Sequence, residues 1–368
     1  MIDKRIFSNF DWVLFVLILA LFLISLGEIY SATHKEGIVY GSEFVLRQGV
    51  WFLAGLLLFF ILGLIDYHFY ERWSLFFYWG VNICLVYVLY EGKLAGGSQR
   101  WISLGFVNFQ PSELAKIALV LVLARHFSKN ILMGGVGIRA LMMPIIYTII
   151  PFVLILKQPD LGTAGTLVLI ASLVVLFVKV EKKTLFSLAG VLGLAGVVFF
   201  LFFLKDYQKE RIISFLNPGQ DPLGAGYHII QSKIAIGSGM FYGKGYSQGT
   251  QNALSFLPEQ HTDFIFSVFA EEWGFLGSII FLSLYFFILV WGLKIAGTCR
   301  NRFGIITCVG LVSMVFWQLF INLGMVMGLF PVVGMPLPLI SYGGTSVVTI
   351  MSAMGILMSV SMRKFMSR

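Results

Sequence analysis

Acidic and basic side chains stand at the entrance of several long apolar stretches, and these residues are the best suited to chemistry. In "FLPEQHTDFIF", residues 256–266, Asp263 directly precedes an apolar run. In "FQPSELAK", residues 109–116, Glu113 and Lys116 are three residues apart, so on a helix they share one face and can pair. An ionisable group beside hydrocarbon is costly and by default indicates a functional cavity. A carboxylate there could take up a proton, and a lysine could stabilise an anion.

Both patterns also have ordinary structural interpretations. Thr262 or Asp263 can cap the helix that follows, because short polar side chains accept hydrogen bonds from the free N–H groups of a first helical turn. Glu113 can stabilise a helix N-terminus through the helix dipole, with Lys116 as its neutralising partner. The residues alone leave both interpretations open.

Two further stretches, "KQPDLGTA" at residues 157–164 and the polar region 205–263, add candidates. Asp160 is either the N-cap of the next helix or a site residue. Arg211 and Lys233 are dispersed cations that could bind a phosphate or pyrophosphate, or could touch lipid headgroups. Connections of this length are uncommon unless they have a function, so we expect the 205–263 region to take part in the site.

The stretch "GLFPVVGMPLPLISYGGTS", residues 328–346, contains three prolines and several glycines, which exclude a regular helix. Irregular backbone at membrane depth is tolerated where protein buries it or where it lines a cavity. Ser341 then offers a hydroxyl to a polar ligand, unless the stretch merely packs between helices. Glu271 and Glu272 cannot both be ionised in hydrocarbon, so they must face water, a partner or each other.

The composition places these residues in a membrane protein. The 368-residue chain is 58% hydrophobic and 12% charged, with a mean hydropathy of +0.89, which excludes a water-soluble fold of this length. Its net charge of +8 comes from scattered Lys and Arg that report membrane topology, so we expect no nucleic-acid partner. The three cysteines lack the spacing of a metal site or a disulfide framework.

Ten apolar windows predict an all-α polytopic membrane protein with a single integral membrane domain, residues 1–368. They are approximately 11–31, 45–65, 74–91, 112–127, 141–157, 163–179, 185–204, 266–293, 304–327 and 345–362. An even number of spans places both termini on one side. Fifteen of the 26 Lys and Arg residues then lie on that side and six in the short opposite loops. The positive-inside rule predicts cytoplasmic termini and a long extracytoplasmic loop, 205–263, between helices seven and eight.

Six stretches, taken in order, resemble the SEDS family of membrane proteins (shape, elongation, division and sporulation) over essentially the whole chain. They are "RWISLG…FQPSELAK", "QPDLGTA", "FLNPGQDPLGAGYHIIQSKIAIGSG", "GKGYSQGTQ", "FLPEQHTDFIF" and "PLPLISYGGTS". The run "NLGMVMGLFPVVGMPLPLISYGGTS" is similar to the branch of the family that acts in cell elongation.

This resemblance implies a peptidoglycan glycosyltransferase that polymerises lipid II at the outer face of the bacterial cytoplasmic membrane. Lipid II is a disaccharide-peptide carried on undecaprenyl pyrophosphate. The family's essential aspartate falls on Asp263, and the glutamate of its "QPSE" motif falls on Glu113. The elongation branch works with a class B penicillin-binding protein, which supplies transpeptidation.

An inverting displacement fits these residues, with Asp263 as candidate general base for the acceptor hydroxyl. The candidate substrate-binding residues, several of them cations suited to a departing pyrophosphate, are Glu113, Lys116, Arg100, Arg211, Lys233 and Ser341. A divalent cation, Mg²⁺ or Mn²⁺, could assist, with Asp263 and Glu113 as candidate ligands and no organic cofactor. Two other classes stay open: a lipid II flippase or transporter, and a non-catalytic scaffold for a separate polymerase.

Overall fold

Long apolar helices make up most of the computed structural model, which describes residues 9–33, 41–95, 98–103, 108–130, 136–181, 225–253 and 261–363 with a few isolated positions. The helices of these residues are α1 (Trp12–Thr33), α2 (Gly41–Leu64), α3 (Tyr67–Glu91), α4 (Pro111–Asn130), α5 (Ile138–Lys157), α6 (Leu161–Phe177), α7 (Ala225–Ser238), α8 (Thr250–Ala253), α9 (Ile265–Thr298), α10 (Arg302–Val326) and α11 (Gly344–Arg363).

Seven of the described helices, α1–α3, α5 and α9–α11, are long and apolar enough to cross a membrane. Helix α6 is apolar but shorter. Every predicted apolar window except 185–204 contains a described helix, which confirms the prediction of an all-α polytopic membrane protein. The 185–204 window lies almost wholly outside the described residues, as do Arg211 and the parts of the 205–263 loop on either side of residues 225–253.

The helices divide into a buried centre and a more exposed ring. Residues of the membrane-spanning window are 94% buried in α11 and 72% buried in α10, against 22–33% in α1, α2, α3, α5 and α9. Nearly every residue of α4 from Pro111 to Ala124 is also buried. A central helix can carry charged groups because protein surrounds it instead of lipid, and α4 is the helix that carries Glu113 and Lys116.

A three-stranded antiparallel sheet connects α3 to α4, which the apolar windows did not predict. Its strands, in spatial order, are β1 (Lys93–Ala95), β2 (Ser98–Ser103) and β3 (Asn108–Phe109). Trp101 of β2 pairs with Lys93 of β1. The sheet matters for the site because β2 contains Arg100, and β3 leads within two residues to Pro111, the first residue of α4.

Helices α6 and α9 begin in different ways. Asp160 is the N-cap of α6, and its carboxylate accepts a hydrogen bond from the Thr163 N–H (3.0 Å), which confirms its structural interpretation. The N-cap of α9 is Phe264, which makes no side-chain cap hydrogen bond. The N-cap position of α9 thus directly follows Asp263, and side-chain capping by Thr262 or Asp263 stays a prediction.

Helix α9 breaks at Gly274, whose φ of 63° and ψ of −160° are not helical. The break frees backbone carbonyl and N–H groups, and the segment Gly239–Gly245 after α7 satisfies them. The four bonds run from Lys244 N to Glu271 O (3.0 Å), Gly245 N to Glu272 O (3.0 Å), Phe275 N to Met240 O (2.9 Å) and Leu276 N to Phe241 O (3.1 Å). Gly243 permits this contact, because a Cβ there would lie 2.0 Å from the Glu272 carbonyl oxygen.

Candidate active site

Glu113 and Lys116 form an ion pair in the first turns of α4, with 2.8 Å between Lys116 Nζ and Glu113 Oε1. The predicted pairing is therefore confirmed. The side chains are only 4% and 0% exposed for Glu113 and Lys116, and removing both charges from water costs more than the pair returns unless further hydrogen bonds form. Within the described residues, Glu113 Oε2 and the adjacent Ser112 hydroxyl have no hydrogen-bond partner. The pair therefore retains unused hydrogen-bonding capacity.

Asp160 links three elements at the end of the bundle where α4 and α6 begin. Besides capping α6, its Oδ2 lies 3.7 Å from Arg100 Nη1 and accepts a long hydrogen bond from Gln110 Nε2 (3.5 Å). Arg100 Nε also donates to the Gln158 carbonyl (3.2 Å). Arg100 thus connects β2 to the α5–α6 turn through these contacts. A contact between Arg100 and a substrate stays a prediction.

Asp263 lies in a turn directly before α9 and is partly exposed. It faces the α10–α11 segment, residues 327–343, where a Cβ added to Gly334 would lie 3.4 Å from Asp263 Oδ2. Gly334 has a φ of 69° and is itself exposed. The carboxylate therefore lies at an accessible surface beside a residue without a side chain, which leaves space next to it for a ligand.

Hydrogen bonds to backbone groups tie the Asp263 turn to α10 and to the α10–α11 segment. Asn322 Nδ2 donates to the Asp263 carbonyl (2.9 Å). The Ser341 hydroxyl donates to the Thr262 carbonyl (2.5 Å) and accepts from the Leu337 N–H (2.7 Å). Ser341 is thus a structural link that fixes the turn, and a direct role in substrate binding stays a prediction.

Helices α1 and α2 hold the far end of the same segment. The Ser25 hydroxyl donates to the Ile340 carbonyl (2.8 Å), and Gln48 Nε2 donates to the Ser341 carbonyl (3.3 Å). Sequence reasoning did not select Ser25, Gln48 or Asn322. The available signal was a single polar residue inside an apolar helix, which is costly unless it is hydrogen bonded.

Helix α7 brings Lys233 to the same segment. The Ser232 hydroxyl anchors the helix by donating to the Val326 carbonyl (2.6 Å) and by contacting Ser267 Oγ (2.8 Å). Lys233 itself is exposed, and its Nζ would lie 2.7 Å from a Cβ added to Gly328. The middle part of the 205–263 region is therefore a helix packed on α9 and α10, with a lysine lying against the α10–α11 segment.

Glu271 and Glu272 have partners, as the sequence required. Glu271 is fully buried and pairs with Lys244 (2.6 Å), while the same oxygen accepts from the Thr250 N–H (2.8 Å). Glu272 accepts a short hydrogen bond from the Ser31 hydroxyl of α1. These carboxylates hold the broken part of α9 to its surroundings.

The start of α6 lies between two groups of polar residues, one around Asp263 and one where α4 begins. A Cβ added to Gly162 would lie 2.9 Å from the carbonyl oxygen of Val333, the neighbour of Gly334. The α10–α11 segment thus contacts α6 next to Asp160 on one side and the Asp263 carboxylate on the other. Lys233 and Ser341 belong to the Asp263 side, whereas Glu113, Lys116 and Arg100 belong to the side where α4 begins.

An apolar groove leads along α3 toward the start of α4. One part has about 370 Å³ of free volume and is lined by Leu62, Phe69, Tyr70, Trp73, Ser74, Phe76, Phe77, Leu114, Ile117, Leu121, Ser352 and Ile356. An adjoining cavity shares Phe76, Phe77 and Leu114 with it and reaches Pro111. The groove suits a hydrocarbon chain whose polar head lies at the start of α4.

A divalent cation would have few protein ligands in this region. Across the described ranges, no three His, Cys, Asp or Glu side chains converge on one point. Mg²⁺ is commonly held by one or two carboxylates together with waters and substrate phosphates. Asp263 or the unpartnered Oε2 of Glu113 can supply one such carboxylate, so the residues fit a cation that binds together with an anionic substrate.

The fold and the site define a polytopic α-helical membrane protein with carboxylates and lysines gathered at one end of its bundle. The model of the FtsW/RodA/SpoVE cell cycle proteins matches residues 10–365. The chain belongs to this family, and the resemblance of its motifs to SEDS proteins is confirmed.

Individual relatives agree with the predicted branch. "Peptidoglycan glycosyltransferase MrdB" of Escherichia coli is 41% identical over 362 residues, which cover 98% of this chain and 96% of that protein. A chain in a peptidoglycan synthase complex, described as coordinating polymerization and crosslinking, has 32% identity and a TM-score of 0.80, with 97% of this chain and 99% of that chain covered. The crystal structure of RodA from Thermus thermophilus has 27% identity and a TM-score of 0.73, over 97% of this chain and 98% of that chain.

Proposed function

We propose that this chain is a peptidoglycan glycosyltransferase that polymerises lipid II into glycan strands at the outer face of the cytoplasmic membrane during cell elongation. The observation that carries the proposal is the placement of Asp263. It is a partly exposed carboxylate beside Gly334, on a turn whose backbone is fixed by Asn322 and Ser341. The naming of relatives such as MrdB as peptidoglycan glycosyltransferases supports the reaction class.

Asp263 acts as the general base in this reaction. Its carboxylate takes the proton from the 4-hydroxyl of the acceptor sugar, and the oxygen of that hydroxyl attacks the anomeric carbon of the donor. The bond between this carbon and the pyrophosphate oxygen breaks, and the pyrophosphate leaves with the electron pair. The configuration inverts from α to β. A positioned base contributes roughly 10²–10⁴-fold to such a step.

Lysine side chains supply positive charge to the departing pyrophosphate. Lys116 is fully buried and makes one hydrogen bond among the described residues, to Glu113, so an anionic oxygen can accept from its remaining N–H groups. Lys233 is exposed on α7. Arg211, outside the described residues, is a third candidate. A divalent cation would neutralise further charge when bound, with Asp263 or Glu113 as a ligand, and no organic cofactor is involved.

The apolar groove receives the lipid tail of the substrate. Its lining side chains on α2, α3, α4 and α11 are almost all apolar. The adjoining cavity reaches Pro111, two residues before Glu113. A prenyl chain in the groove would stay in contact with the bilayer while its pyrophosphate approaches Lys116.

The site faces the outside of the cytoplasmic membrane, with both termini in the cytoplasm. The excess of Lys and Arg in the loops on the side of the termini supports this orientation. A class B penicillin-binding protein is the partner and crosslinks the new strand. The fold similarity to a chain of a peptidoglycan synthase complex, described as coordinating polymerization and crosslinking, supports such a partner.

The test is polymerisation of labelled lipid II by the purified protein with its partner. We expect Asp263→Asn to fold and to bind the partner, yet to make no detectable glycan. Glu43→Gln is the matched control, because Glu43 is an exposed carboxylate whose partner is the surface residue Arg47. The control should polymerise at the wild-type rate. Glycan made at that rate by Asp263→Asn would remove Asp263 from catalysis.

The same preparation separates the two other classes. Translocation of lipid II across liposomes by a protein that makes no glycan would favour a flippase. Glycan that depends on catalytic residues of another polymerase, and not on Asp263, would favour a scaffold.

A further inference from the structure

One amide group joins the two stretches of backbone that flank the Asp263 carboxylate. Asn322 of α10 is fully buried, and its Nδ2 donates to the Asp263 carbonyl (2.9 Å) and to the Met335 carbonyl (2.6 Å). An amide nitrogen has two hydrogens, so these two carbonyls use its full donor capacity. Because both neighbours are acceptors, the nitrogen of the amide must face them.

The Asp263 carbonyl is available to Asn322 because the first turn of α9 is tightened. In a regular α-helix the N–H of Ser267 would bond to the carbonyl of Asp263. It bonds instead to the Phe264 carbonyl (2.9 Å), one residue further along. The side chain of Asn322 thus supplies this carbonyl with a hydrogen bond in place of the helical one.

The second carbonyl, that of Met335, belongs to the α10–α11 segment that lies against the Asp263 carboxylate. Met335 follows Gly334, whose missing side chain leaves the space beside Asp263 Oδ2. The Asn322 amide therefore sets the distance between the chain that carries the carboxylate and the chain that lies against it. That distance determines the room for an acceptor hydroxyl next to Oδ2.

We infer that Asn322 is a positioning residue that holds the Asp263 carboxylate at the correct distance from the acceptor hydroxyl. The inference rests on the proposed role of Asp263 as general base. A neutral donor of two hydrogen bonds suits this position, since a lysine or arginine would add a buried charge and leucine would remove both donors. Asn322 acts through Asp263 and does not itself touch the reacting atoms.

The experiment measures kcat and KM for lipid II with the full chain and its partner. Asn322→Leu keeps the side-chain shape and removes the donors, so kcat should fall roughly 10²-fold, the effect of a misplacement of about 1 Å. The KM should stay within about twofold, because the groove and the lysines are unchanged. Asn322→Gln keeps the donors on a longer side chain and should have a kcat between those of Asn322→Leu and wild type.

The matched control is Gln318→Met, one turn earlier on α10. Gln318 is also a fully buried amide, but neither of its amide atoms has a hydrogen-bond partner among the described residues. This control should keep the wild-type kcat. A wild-type kcat for Asn322→Leu, or a loss that only follows the loss of folded protein, would overturn the inference.

Two further comparisons keep the test decisive. If Asn322→Leu does not fold, Asn322→Gln alone decides, because a kcat at least about threefold below wild type at unchanged KM and Tm supports positioning and a wild-type kcat refutes it. Asp263→Asn is measured alongside. If Asp263→Asn is active, the proposed base has failed; if it is inactive while Asn322→Leu is fully active, only the positioning inference has failed.

Discussion

Two lysine–glutamate pairs with a buried glutamate lie in the described part of this protein, and they differ in what surrounds the lysine. Lys244 Nζ has two partners, Glu271 (2.6 Å) and the Thr250 hydroxyl (2.7 Å), and its side chain is 27% exposed. Lys116 Nζ is fully buried and has Glu113 as its one hydrogen-bond partner among the residues described.

This difference separates a pair whose lysine has two hydrogen-bond partners from a pair whose lysine has one among the described residues. Glu271 Oε1 also accepts backbone hydrogen bonds from Thr250 (2.8 Å) and Gln251 (3.2 Å), so the pair fixes a short helix to the broken part of α9. The ammonium of Lys116 keeps donors unused in a place where unused donors are costly. An anionic ligand would satisfy them, in agreement with the proposed role of Lys116.

The largest effect is expected from Lys116. Lys116→Met leaves the Glu113 carboxylate buried without its partner, which should lower the free energy of unfolding by about 3–5 kcal/mol. Adding Glu113→Gln removes the uncompensated charge and should restore most of that stability. If the pair serves the reaction, the double variant folds but polymerises lipid II roughly 10²-fold more slowly or not at all.

Thermal unfolding in detergent and the polymerisation assay measure these two quantities separately. A double variant with wild-type stability and wild-type polymerisation would show that the reaction does not need the Glu113–Lys116 pair.

An intermediate effect is expected from Gly243 in the segment that carries Lys244. Gly243 has a φ of +80°, and a Cβ there would lie 2.0 Å from the Glu272 carbonyl oxygen. Gly243→Ala should therefore destabilise the protein by about 3 kcal/mol. Gly237→Ala is the control, since a Cβ at Gly237 meets nothing within 4 Å. The prediction fails if both variants unfold at the wild-type temperature.

The smallest effect is expected from Glu271→Gln, which removes the charge and keeps the shape of the side chain. Lys244 can turn toward solvent, so the loss of stability should be about 1–2 kcal/mol. The kcat of the folded protein should not change, because Glu271 contacts only the chain itself. A kcat that falls while the Tm stays constant would show that Glu271 takes part in the reaction. The two lysine–glutamate pairs would then not differ in role.

Much of the fold could be predicted because apolar length is a local property. The windows at 11–31, 45–65 and 304–327 each coincide with a helix to within a few residues. The Glu113–Lys116 pair was predictable for the same reason, since a helix places i and i+3 on one face. The small sheet between α3 and α4 was missed because its strands, of two to six residues, are too short to produce a periodic pattern.

The site was harder to predict, because its geometry depends on partners far away in the chain. Ser341 was predicted to offer its hydroxyl to a ligand, yet that hydroxyl holds the backbone of Thr262 and Leu337. Arg100 was predicted to be a substrate cation, yet it clamps the α5–α6 turn. Both residue types suit either role, so these contacts could not be predicted from the sequence, and the ligand contact of each residue stays a prediction.

The sequence by itself determined that this is a polytopic membrane protein with ionisable groups at the mouths of its helices, and its motifs determined the family. Both follow from composition and short spacings, which need no knowledge of contacts. The tertiary structure alone decided that the N-cap position of α9 is Phe264, that Asn322 holds the backbone of Asp263, and that residues 239–245 supply hydrogen bonds at the break near Gly274. These outcomes depend on which buried backbone groups lack a helical partner, and only packing determines which distant group satisfies them.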